Sequence, residues 1–430
     1  MSRLKPQLGI VQGIGLLATT MLGTGIFIVP SITALHTGKS SLLAWILLLF
    51  MSLPIAFTFA ALGQRYPHAG GAPHLIGQAF GKTSERLSAF LFFAILPVGM
   101  PASLIIGSGF IQAIIPLTPF ANLAIQLAML VAMFGLGIAG TKSSGLIQTL
   151  IAALIILLIC LLWWLSDLHS IDIAIPFSVS GPSFFNALGL MFWCVIGIEA
   201  FAHMGEEFRN PKRDYPLALI LGTLLTFTIY WATSVVVLKH LPEIATLPSS
   251  GSLPAITTVH LGRTTGLLVT ILGFLSCFAS TNVYIQGYTR LIWSMADEKK
   301  LPHCLGRLTP QKIPLNALIA ITSVSMFLTI VVWALNQPLT DLLLYTNGNF
   351  ILIYMLSMLA GVILLKGYQR IIAITGVIIT LIFFLSLGKA NAYALILCIC
   401  FFLFWGLRYV SRNWPRYRKT TKTHSSSYPS

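Results

Sequence analysis

Residues Thr19–Pro30 read TTMLGTGIFIVP. They fall inside an apolar run, residues 8–34, long enough to cross a bilayer as a helix. Yet Gly23, Thr24 and Gly25 sit in its middle, and Pro30 follows shortly after. Glycine disfavours the helix because it leaves the backbone free to turn. In hydrocarbon, a backbone that leaves the helix finds no water, so a break survives only where protein or a water-filled cavity supplies partners. The stretch therefore predicts a membrane helix that unwinds beside a cavity. Gly9 and Gly13, earlier in the run, predict only close packing of neighbouring helices.

A second interrupted run supports this reading. The run at 182–206 carries WCVIGIEAFAHMGEE at 193–207, ending one residue beyond it, with Gly197 ahead of Glu199 and Gly205 ahead of two more glutamates. Apolar runs of spanning length also occupy 40–63, 84–115, 120–140, 144–166, 213–240, 264–296, 314–336, 339–366, 369–387 and 390–410. The expected fold is thus an all-α integral membrane protein of about twelve transmembrane helices. Runs one and six each head a set of five. An odd number of spans gives the two sets opposite orientations, so matching breaks in helices 1 and 6 point to an inverted repeat with a binding site near mid-membrane. The expected organisation is one polytopic domain over 1–410: repeat one at 8–166, repeat two at 182–366 and two extra helices at 369–410. A basic, disordered cytoplasmic tail follows at 411–430.

Composition agrees. Of the 430 residues 56% are hydrophobic and 9% charged, against roughly a quarter charged in soluble domains. The formal charge of +15 is arranged by side: 22 Lys and Arg fall in one alternate set of connectors and only Lys39, Lys239, Arg263 and Lys389 in the other. That bias places both termini in the cytoplasm. Basic residues flanking helices face anionic lipid headgroups, so the charge does not imply nucleic acid. The six cysteines lack metal-ligand spacing, and no nucleotide-binding fingerprint occurs, so no cofactor is expected.

Glu199 is the one acidic residue deep within a run. A carboxylate there costs on the order of 3 kcal/mol to insert, which marks a functional site by default. His203 follows four residues later on the same helical face, and the two are proton-coupling candidates. Ser276, Ser280, Thr281 and Asn282 supply oxygens suited to a hard cation, making Ser280 and Thr281 weak sodium-site candidates. Pro97 and Pro101 predict a kink in run three. Phe192 and Trp193 stand beside the second break as packing or lid residues. Two long connectors, QRYPHAGGAPHLIGQAFGKTSER and ADEKKLPHCLGRLTPQKIP, occupy matching places in the two repeats, as solvated loops or as gates.

The segments MLGTGIFIVP, GIEAFAHMGEEFRNPKRDYP and RLIWSMADEKKLP together resemble the amino acid–polyamine–organocation transporters, over at least the first ten spans. Within that family, the Trp-Cys and EAFAH pattern of run six is similar to short bacterial exporters of methionine and branched-chain amino acids. The resemblance implies a LeuT-type five-plus-five inverted repeat with substrate held at the two breaks. It implies that backbone amides of Gly23, Thr24 and Gly25 receive the substrate carboxylate. The carbonyls of Met21, Trp193 and Ile196 would receive its amino group, beside Gly197 and Glu199. Proton-coupled members of a related branch carry a lysine midway along span five, whereas this span reads IQTLIAALIILLICLLWW, leaving proton and sodium both open as coupling ions.

The resulting expectation is a secondary active transporter that exports neutral apolar L-amino acids. Uptake of an amino acid or amine by symport or exchange is the alternative, and an amino acid sensor is the alternative without transport. A membrane-embedded enzyme would need converging nucleophiles, bases or metal ligands, and one buried Glu with one His does not provide them.

Overall fold

The computed structural model describes residues 8–66, 68, 70–139, 144–168, 181–202, 208–244, 251–311 and 313–404. His203 and the 411–430 tail lie outside the described residues. Among the described residues the regular elements are helices, apart from one isolated bridge between Leu8 and Phe208. Among the described residues nine helical segments, Lys82–Ile114 counted as one, are long and apolar enough to cross a bilayer, and three shorter apolar helices, Ile10–Leu22, Ser183–Cys194 and Gly388–Phe404, fall in runs one, six and twelve. The chain is therefore a multi-pass membrane protein. Its outer helices keep large apolar side chains exposed, such as Phe327 and Leu385, which suits lipid and not water.

The first run forms two helices, α1 (Ile10–Leu22) and α2 (Val29–Thr37), with six turn residues between them. Pro30 sits in the first turn of α2, where its missing N–H goes unneeded. Next come α3 (Ser40–Arg65), α4 (Gly71–Phe80), α5 (Lys82–Phe93) and α6 (Leu96–Ile114). Run three is thus interrupted just before Pro97, at Ala94 and Ile95. Pro97 begins α6 and Pro101 lies inside it. Pro97 has no N–H to donate and its ring crowds the preceding turn, so the kink expected of run three takes the form of this interruption.

Then follow α7 (Pro119–Ala139) and α8 (Ser144–Leu165). The sixth run contains α9 (Gly181–Met191), a 3-10 turn at Phe192–Cys194, and the short α10 (Ile198–Ala202). The chain continues through α11 (Asp214–Lys239), α12 (Ser252–Leu261), α13 (Arg263–Asp297), α14 (Leu315–Ala334), α15 (Leu339–Leu364), α16 (Tyr368–Ser386) and α17 (Gly388–Phe404). The α1 helix packs on α8, α11 and α13, and α15 packs on α3, α6 and α16.

Carbonyls released at the interruptions are collected by side chains from distant helices. Tyr230 Oη on α11 donates to Met21 O at 2.8 Å, and Ser280 Oγ on α13 donates to Thr20 O at 3.0 Å. From α15, Asn347 donates to Gly189 O at 2.9 Å, Tyr354 to Val195 O at 3.1 Å and Asn349 to Ala94 O at 3.3 Å. An unwound backbone in hydrocarbon requires such partners. The two long connectors also meet: Lys300 pairs with Glu85 at 2.6 Å and with Glu298, while His68 stacks on His74 at 3.8 Å.

Candidate functional site

The two breaks face each other across a cavity. Met21 and Thr24 line it from the first break, Trp193 and Ile196 from the second, and Ser280, Thr281 and Tyr284 from α13. Leu96, Met100 and Phe350 line it as well, with Ser103 and Thr346 from the same two helices. Among the described residues no lining side chain carries a charge. A lining that mixes hydroxyl-bearing and apolar side chains suits a small ligand with a polar head and an apolar tail.

Thr24 joins the two breaks directly, because its Oγ1 accepts a hydrogen bond from Trp193 Nε1 at 2.9 Å. Gly23, Gly25, Gly197 and Glu199 stand behind the lining. Two of the three amides expected to receive a carboxylate are occupied within their own segment: Gly23 N donates to Thr19 O at 2.9 Å and Gly25 N to Leu22 O at 3.0 Å. The Thr24 amide donates to no backbone carbonyl among the described residues. Met21 O already accepts from Tyr230, and a carbonyl retains a second lone pair.

Neither glycine of the pair needs an unusual torsion, since Gly23 has φ −37° and Gly25 is not among the residues of positive φ. What they need is space. A β-carbon at Gly23 would collide with Ser280 Cβ, and one at Gly25 with Tyr230 Oη. The torsional demand falls on Gly197, at φ +130°.

Glu199 is fully buried. Its Oε1 accepts from Tyr284 Oη at 3.0 Å, and its Oε2 accepts from Gly197 N at 2.9 Å and from Tyr354 Oη. Three donors thus converge on the carboxyl, and no ion pair to it exists among the described residues. Tyr284 is the residue that both lines the cavity and touches Glu199. Ser280 and Thr281 have their hydroxyl protons directed at Thr20 O and Cys277 O, which leaves oxygen lone pairs on the cavity side of α13.

The sequence reading singled out charge and glycine, and so missed Tyr230, Tyr284, Tyr354 and Asn347. The available signal was a tyrosine hydroxyl or amide within an apolar run, which must find a partner when buried.

Comparison with known proteins agrees with this architecture. The sequence model of the family described as "Amino acid permease" matches residues 8–422. The L-methionine/branched-chain amino acid exporter YjeH of Escherichia coli (strain K12) is 43% identical over 399 residues, covering 92% of this chain and 95% of that protein. An uncharacterized amino acid permease of Bacillus subtilis (strain 168), YecA, is 28% identical over 83% of this chain and 84% of its own. The putrescine transporter PotE of Escherichia coli (strain K12) is 25% identical over 84% of each. Matched along nearly its whole length, the chain belongs to the amino acid permeases, a family of transporters and not of enzymes.

Proposed function

We propose that the protein is a secondary active transporter that exports neutral apolar L-amino acids, namely methionine, leucine, isoleucine and valine, across the bacterial inner membrane. The observation that carries this reading is the uncharged cavity between two helix breaks. Its polar wall suits the α-amino and α-carboxyl groups common to all amino acids, and Leu96, Met100 and Phe350 suit an apolar side chain. A cationic cargo such as a diamine would need a carboxylate in the lining, and there is none. The outward direction is taken from the exporter that is 43% identical.

In this reading the chain forms twelve spans as a LeuT-type five-plus-five inverted repeat followed by two extra helices, with both termini cytoplasmic. The substrate carboxylate bonds the Thr24 amide and hydroxyl. Its amino group bonds the carbonyls of Met21, Trp193 and Ile196. Glu199 carries the coupling proton, reached from the cavity through Tyr284. Tyr354 has one hydroxyl proton and two acceptors, Glu199 and Val195 O, so loading Glu199 shifts which of them it serves. Sodium at Ser280 and Thr281 is the competing coupling.

Flux in proteoliposomes tests the reading. Labelled methionine, leucine and putrescine would be offered under separately imposed proton and sodium gradients. Methionine and leucine are expected to move when a proton gradient is imposed. Putrescine transport in their place would overturn the substrate assignment, and dependence on sodium alone would move the coupling to α13.

A further inference from the structure

At the end of the molecule opposite the charged connectors, three elements meet at two histidines. His240 caps the C-terminus of α11, His260 lies in the last turn of α12, and Ser166 follows α8. The His240 Nε2 to His260 Nε2 distance is 3.1 Å, and the distance from His240 Nε2 to Ser166 Oγ is 3.3 Å. His240 and Ser166 are 7% and 4% exposed.

We infer that His240, His260 and Ser166 form a binding site for a late divalent metal ion of the zinc, nickel or copper class. Imidazole is the ligand these ions prefer. Two nitrogens bound to one ion at about 2.0–2.1 Å lie roughly 2.9 Å apart for right-angle coordination and about 3.3 Å apart for tetrahedral coordination. The observed 3.1 Å falls between them. The rings are nearly perpendicular at 84°, and their centroids are 4.9 Å apart, closer than a head-on hydrogen bond would set them. The two ring nitrogens therefore meet at an angle and not head-on. One donates to the other in the metal-free chain, and with both ring protons on Nδ1 the two lone pairs converge as ligands of one ion do. The described residues contain no group of three His, Cys, Asp or Glu that could hold a metal, so water completes the coordination and the affinity stays modest.

The consequence for transport rests on the proposed function; the binding does not. Ser166 ends repeat one, while His240 and His260 belong to repeat two. An ion held by all three ties the repeats together at this mouth and slows any cycle that moves one against the other.

Titration calorimetry with Zn2+ on tag-free protein in detergent tests the site, with Mg2+ as the hard-cation control. Zn2+ should bind at one equivalent per chain, and His260→Gln should weaken that binding at least tenfold. His260 is only partly buried, so this variant is the one suited to folding normally. A His68→Ala/His74→Ala double variant, which removes the other histidine pair, should bind as the parent does. Binding unchanged by His260→Gln, or lost in the double variant, would overturn the site. In proteoliposomes Zn2+ should lower flux severalfold in the parent and not in His260→Gln, with recovery on adding EDTA. Binding without an effect on flux would overturn the restraint, whereas absence of flux under all conditions would count against the proposed function.

Discussion

The two breaks solve different problems with the same residue type. Through the first, the chain keeps helix-like bonds: Gly23 N to Thr19 O, Ile26 N to Leu22 O and Val29 N to Gly25 O. Its glycines make room for Ser280 and Tyr230, which reach in from α13 and α11 to hold Thr20 O and Met21 O. At the second break the chain does turn out of the helix. Gly197 takes φ +130°, and its amide is capped by the Glu199 carboxyl two residues on. One break is a matter of volume and the other of torsion, and only the second involves an ionisable group.

The largest expected effect separates these two cases. Gly23→Ala and Gly25→Ala should each cost toward the upper end of about 1–3 kcal/mol, since the new methyl overpacks a buried contact. Thermal unfolding should fall together with transport of every substrate. A variant that keeps its unfolding midpoint yet binds nothing would break the comparison, because the glycine amides would then be recognising substrate. Next comes Gly197→Ala, at about 1–2 kcal/mol from backbone strain, with its β-carbon only 3.0 Å from Met21 Cγ. An unchanged midpoint there would mean the second break also rests on volume.

Smaller effects sharpen the role of the acid. Tyr284→Phe removes one hydrogen bond to Glu199, worth about 0.5–1.5 kcal/mol, and leaves the ring in the cavity wall. Glu199→Gln should fold and bind substrate, because the hydroxyls of Tyr284 and Tyr354 can rotate to accept from the new amide. Both variants should flatten the pH dependence of flux while altering methionine affinity less. A normal pH profile in both would leave Glu199 as a cap for Gly197 and nothing more.

The smallest effect lies where the connectors join. Burial, then the neighbouring His68, push the His74 imidazole down from 6.5 to about 4. The unfolded chain therefore binds a proton at His74 between roughly pH 6.5 and 4 that the folded chain refuses, and stability falls as pH falls through that window. Burial alone would raise the Glu298 carboxyl, but the Lys300 hydrogen bond and charge outweigh it and hold it below its usual value. Its contribution is lost lower still, as pH falls through the folded value. His74→Gln should remove the upper part of the slope, as read by thermal unfolding at stepped pH. An identical slope in this variant would assign the loss to other groups.

The amino-acid sequence by itself determined the membrane character, the two interruptions and the buried acid. Each is a local property: run length, glycine within a run, a charge among apolar neighbours. The break marked Thr24, and the family resemblance implied Met21, Trp193 and Ile196; the tertiary structure brings all four to one cavity. Tertiary structure alone decided that Gly23 faces Ser280 and Gly25 faces Tyr230, over 200 positions away, and therefore that neither position has room for a β-carbon. It decided that Glu199 stands behind Tyr284 and not in the cavity wall, and that the kink expected in run three falls at Ala94 and Ile95. None of these follows from periodicity or composition. Which distant side chain fills a gap or meets a freed carbonyl is settled only when the helices pack, and the same local pattern is compatible with many partners until they do.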